Sequence, residues 1–142
     1  MSRADPVLDK VKFEPAQMSA RTITFWFVTA LVFLAFLGSG IGNLVHAPNI
    51  ARDMAHLGYP AYFSTILGTW KVLGALAVAV PAFPRVKEWA YAGMMFDLTG
   101  AAISRAVAGD GAPGVIPPLI VAGLVVASWA LRPAHWNGFA RK

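Results

Sequence analysis

Two residues of opposite charge stand inside apolar runs, where charge is expensive. Lys71 interrupts "LGTWKVLGALAVAV", Leu67 to Val80, and no other Asp, Glu, Lys or Arg lies between Asp53 and Arg85. Asp97 interrupts "MMFDLTGAAIS". An unanswered charge at the centre of a membrane-spanning helix costs about 2.5–3.5 kcal/mol on insertion scales. Three outcomes are open. The two residues form a buried ion pair that fixes helix register, they build a substrate, quinone or proton site, or Lys71 snorkels to the lipid surface.

Other polar side chains extend the candidate site. Ser39, Asn43 and His46 follow i, i+4, i+7 spacing near the end of the first apolar run, where an amide and an imidazole can bind a carbonyl or pass a proton. Trp70 precedes Lys71, and Ser104 and Arg105 follow Asp97 by two helical turns. Gly38 and Gly42 form a GxxxG face suited to helix contact. No residue is assigned as catalytic. There is no Ser–His–Asp arrangement, no phosphate loop and no G-x-G-x-x-G. The chain has no cysteine, which removes disulfides, thiolate catalysis and iron–sulfur ligation. His46 and His56 are expected on one side of the membrane and His135 on the other, so no three-histidine metal site is expected. No intrinsic cofactor is expected, and quinone is the external one the site would admit.

The elements that position these residues follow from composition. The chain is 57% hydrophobic and 13% charged, against about 45–50% and about 25% in soluble domains, which points to a bilayer. Four runs approach the ~20 apolar residues needed to cross it: residues 24–45, 62–82, 88–108 and 113–131. The expected fold is all-α, a single integral membrane four-helix domain over residues 1–142, with polar tails at 1–21 and 132–142. Between the first two spans, "HAPNIARDMAHLGYP" reads as a short interfacial helix capped by Asn49. Its apolar face is Ile50, Met54 and Leu57, and its stop signals are Gly58 and Pro60.

Arg3, Lys10, Lys12, Arg21, Arg85, Lys87, Arg132, Arg141 and Lys142 fall on one side, against Arg52 and Arg105 on the other. That asymmetry places both termini in the cytoplasm. The net charge of +5 is therefore topological, and no basic stripe with interleaved aromatics suggests nucleic acid. Lys71 and Asp97 then lie at matching depth on antiparallel neighbours. Ser64, Gly68 and Ala75 flank the first, and Gly93, Gly100 and Ser104 flank the second.

The stretch Asn43 to Arg105 resembles the DoxX-like family of small four-helix membrane proteins. The matching elements are His46, Leu57-Gly58-Tyr59-Pro60, Leu67-Gly68, Trp70-Lys71, the run Lys87 to Gly93, Phe96-Asp97 and Gly100-Ala101. The resemblance implies a four-helix bundle and permits a quinone-linked role. The family takes its name from a subunit associated with a membrane quinone oxidoreductase acting on thiosulfate. Chemistry through a thiol cannot run in a chain without cysteine.

The leading functional expectation is an accessory or assembly subunit of a larger membrane redox complex, respiratory or photosynthetic. A quinone-linked oxidoreductase subunit with its site at Lys71 and Asp97 comes second, and a small-molecule transporter third. The expected partners are the lipid bilayer and other membrane subunits or further copies of the chain. The expected location is a bacterial-type inner membrane.

Overall fold

The computed structural model describes residues 19–80 and 82–133, and the regular structure among them is helical throughout. In chain order the helices are α1 (Ala20–Leu44), α2 (Pro48–His56), α3 (Ala61–Ala79), α4 (Pro84–Val107) and α5 (Gly111–Ala130). The polar tails expected at 1–21 and 132–142, His135 included, lie outside the described residues apart from 19–21 and 132–133. α1, α3 and α5 are long and apolar enough to cross a membrane. α4, at 24 residues, has the length, but Arg85, Lys87, Glu88, Asp97 and Arg105 keep it outside that set.

Helix starts follow local chemistry. Ser19 caps α1, its hydroxyl accepting from the Thr22 N–H, so α1 begins earlier than the apolar run alone suggests. Pro84 opens α4 four residues before the expected Glu88, because proline's fixed φ suits a first helical turn. The same rule corrects the expected cap of the short helix. Pro48 is its first residue and Ala47 precedes it, so Asn49 lies inside α2.

α1 runs against α3 and α5, and α4 runs against α5, while α3 and α4 touch more sparsely. α1 and α4 finish at the end of the bundle where α2 lies, here the α2 end. α1 and α4 begin, and α3 and α5 finish, at the far end. Val32 and Phe36 of α1 meet Val78, Tyr91, Met94 and Val125 in the core.

Glycine sets the closest helix contact, but at other positions than the GxxxG face suggests. A Cβ added to Gly68 of α3 would lie 2.8 Å from the Gly40 carbonyl oxygen and 2.9 Å from the Leu44 backbone nitrogen. Gly40 and Gly68 therefore bring α1 and α3 together. Gly38 faces open space, and Gly42 receives Ile50 of α2. On α4 the small residues do not close the gap, since a Cβ at Gly93 or Gly100 would meet nothing within 4 Å. Gly68→Ala is therefore expected to lower stability by about 1–3 kcal/mol, because backbone must shift. Gly100→Ala should be neutral or slightly stabilising. Thermal unfolding of both variants in one detergent checks the contrast.

Candidate functional site

Lys71 is 10 residues along α3 from Ala61, and Asp97 is 10 residues before the end of α4 at Val107. At 1.5 Å per residue both sit ~15 Å from the α2 end. Lys71 Nζ lies 3.5 Å from Asp97 Oδ2, and the two side chains keep only 16% and 17% of their accessibility. Lys71 Nζ also donates to Ser39 Oγ at 3.2 Å. One ammonium thus ties α3 to α4 and to α1 at a single depth.

A groove of about 610 Å³ opens beside this pair between α3 and α4, a size typical of small-molecule sites. Its lining includes Phe36 of α1. Leu67, Trp70, Leu73, Gly74 and Ala77 line it from α3, and Val86, Trp89, Ala90, Gly93, Met94 and Phe96 from α4. Apart from Lys71 and Asp97 every lining residue is apolar, glycine or tryptophan. The groove runs from the pair towards the far end and opens sideways. Trp70, Phe96 and Trp89 at its edges are 69%, 79% and 82% exposed.

The remaining expected residues separate into distinct contacts. Of the candidate polar pocket only Trp70 shares the groove with Lys71 and Asp97. Asn43 is buried. Its amide donates to the Ser39 carbonyl, and its Oδ1 accepts from Ser64 Oγ at 2.9 Å. His46 leaves the stripe of Ser39 and Asn43, because α1 ends at Leu44 and His46 turns to φ 50°. Its N–H bonds the Asn43 carbonyl while the Ala47 N–H bonds that of Gly42. That turn usually carries glycine at the left-handed position. Here the imidazole Nε2 lies 3.2 Å from Thr65 Oγ1 on α3.

Ser104 and Arg105 serve the α2 end. Ser104 shares a 2.6 Å hydrogen bond with Tyr59. Arg105 pairs with Asp53 of α2 at 2.7 Å and with Asp110 at 3.1 Å, and His56 of α2 lies 2.5 Å from Asp110. These ion pairs fasten the polar face of α2 over the turn between α4 and α5. The His56 imidazole above all, and then the Arg105 guanidinium, hold the Asp110 carboxyl below its ordinary value of 3.8 against an opposing desolvation effect.

A second network at the far end had no counterpart in the sequence reading. Ser128 Oγ lies 2.7 Å from Thr29 Oγ1 and 2.8 Å from Tyr91 Oη, all three buried, joining α5 to α1 and α4. Arg132 pairs with Glu88 at 2.5 Å and lies over the Tyr91 and Trp129 rings, and Trp129 donates to Glu88. A Thr, a Tyr and a Ser on three separate helices carry no spacing signal. The one available cue was Tyr91 in the apolar part of a span.

With this geometry in place, comparison with known protein families matches residues 27–128 to the DoxX-like family. The chain belongs to that family. It is an integral membrane DoxX-like protein, with three helices apolar enough to span. The matched region contains the pair, the groove and the α2-end network. Comparison with curated proteins and with solved structures gives no match.

Removing one member of a buried pair leaves the other charge unanswered, at about 3–5 kcal/mol. Lys71→Ala and Asp97→Ala are each expected to destabilise the DoxX-like bundle on that scale, and the double variant less than their sum. Additive losses in chemical unfolding would show the residues uncoupled. The α2-end network has a pH signature of opposite origin. A carboxyl held below its ordinary value contributes stability that is complete above 3.8 and is lost as pH falls through the lowered value. The melting difference between the native chain and Asp110→Asn should thus shrink as pH falls through that lowered value.

Proposed function

We propose that this DoxX-like chain binds a quinone-class molecule in the groove between α3 and α4, with its carbonyl head against Lys71 and Asp97. The observation that carries the reading is the coincidence of an apolar, lipid-facing groove with one donor and one proton-accepting group at its inner wall. Lys71 and Asp97 together are neutral, which favours an uncharged head in a medium of low polarity. A quinone accepts a hydrogen bond from the ammonium, and a quinol donates one to the carboxylate. Trp70 and Phe96 offer flat apolar surface beside that head.

The groove supports ranking the quinone-linked reading ahead of the accessory one. A bound quinone makes the chain a functional subunit of a membrane redox system, and an accessory role follows as a consequence. Further copies of the chain or other redox subunits are the partners this implies. The transporter reading gains no support. Beyond the pair, Gly40 and Gly68 press α1 against α3, and Ser64 and Asn43 fill that contact.

In this reading α4 completes a four-span bundle in an inner membrane of bacterial type. Arg21, Arg85, Lys87 and Arg132 at the far end favour cytoplasmic termini.

Quinones quench indole fluorescence on contact, and Trp70 and Trp89 line the groove. Titrating a ring-substituted benzoquinone into the protein in lipid nanodiscs should give saturable quenching. Lys71→Gln should weaken it at least tenfold, and Trp70→Phe should lower its amplitude without changing the midpoint. Quenching that never saturates, or is indifferent to Lys71→Gln, would sink the proposal.

A further inference from the structure

The groove is much longer than a quinone ring requires, and most of its excess lies on one side of the pair. We propose that this excess is a channel for the ligand's hydrocarbon chain, running from Lys71 and Asp97 towards the far end, and that Gly93 determines which chains fit. The inference rests on the quinone reading and adds the part of the ligand that reading leaves unspecified.

The lining residues give the direction. Gly93 lies one helical turn from Asp97 towards the far end, followed by Ala90 and then Val86. On α3, Gly74 and Ala77 lie progressively further from Lys71 in the same direction. From Asp97 to Val86 is 11 residues, or ~16 Å of helix. In the other direction the lining includes only Leu67, one turn beyond Lys71. A head at the pair therefore has room for a chain on one side only.

The width is set by missing side chains. A Cβ placed on Gly93 would meet nothing within 4 Å, and one on Gly74 would reach only the Met94 methyl at 3.6 Å. Gly93 is therefore not a packing glycine like Gly68, whose Cβ would strike backbone. Its lack of a side chain keeps the passage open without serving a helix contact. Exposed Trp89 and Leu73 stand on the lipid side, so a chain in the channel would be continuous with the acyl chains outside.

The occupant is therefore a quinone with an isoprenoid or similar chain. A free fatty acid would bring a second carboxylate beside Asp97, and a chainless ring would leave Gly74, Ala77, Ala90 and Gly93 without contact.

The test compares benzoquinones carrying no chain or one, two or four isoprenoid units, in nanodiscs, with affinity expressed per mole of lipid to remove partitioning. The native protein should bind the two-unit compound at least tenfold more tightly than the chainless one and gain little from four units. Gly93→Leu should abolish this gain while leaving the chainless quinone within twofold of its native affinity. Ala77→Leu, placed deeper, should spare the first unit and remove the gain from the second. It carries the same test should Gly93→Leu fail to fold. Native binding indifferent to chain length would overturn the channel and leave the quinone site standing. So would a loss of the chainless ligand equal to that of the chained one in either variant. No binding of any of the four probes overturns both.

Discussion

The bundle is organised around one constraint, that a lysine and an aspartate in an apolar interior must answer each other. Lys71 and Asp97 meet at 3.5 Å across the seam between α3 and α4, and Ser39 Oγ of α1 accepts a hydrogen bond from the same ammonium. The consequences spread outward. α3 and α4 are locked in depth, α1 is drawn in on the other side, and the seam stays wide enough for two polar side chains. Gly93 on α4, which would elsewhere permit close contact, is left facing a groove.

The same logic explains how α4 packs into the bundle despite its charges. Glu88 is answered by Arg132, Asp97 by Lys71, and Arg105 by Asp53 and Asp110. Each pair also ties α4 to a different part of the chain: the stretch after α5, then α3, then α2 and the turn into α5. A helix whose composition sets it apart from its three apolar neighbours is thereby tied to several separate parts of the chain by charge. Its polarity is spent on attachment.

Much of this was legible beforehand, for identifiable reasons. Hydropathy marks a span because lipid contact constrains nearly every residue on it, so the α1, α3 and α5 runs stood out from composition alone. The matching depths of Lys71 and Asp97 followed from counting residues from helix ends. Contacts that depend on rotation about a helix axis were less accessible. GxxxG spacing pointed to Gly38 and Gly42, whereas Gly40 makes the contact, because a glycine-rich segment offers several faces and only the partner helix selects one. His46 continued a helical stripe on paper, but the helix ends two residues before it. The Thr29–Ser128–Tyr91 network was invisible because each member is an ordinary residue until three helices bring it together.

The distribution of polar ties along α3 has a mechanical consequence. From its start to Lys71, α3 is held by Ser64, Thr65 and Lys71, each bonded to a residue of α1, the turn after it, or α4. From Val72 to Ala79 its contacts among the described residues are apolar, through Ala75 and Val78. Hydrogen bonds prescribe a geometry, whereas apolar contacts in a membrane compete with lipid chains of the same character. No hydrogen bond therefore prescribes the spacing of α3 from α4 in that half among the described residues. The two halves of one helix are thus held by different kinds of force, directional near its start and non-directional towards its end.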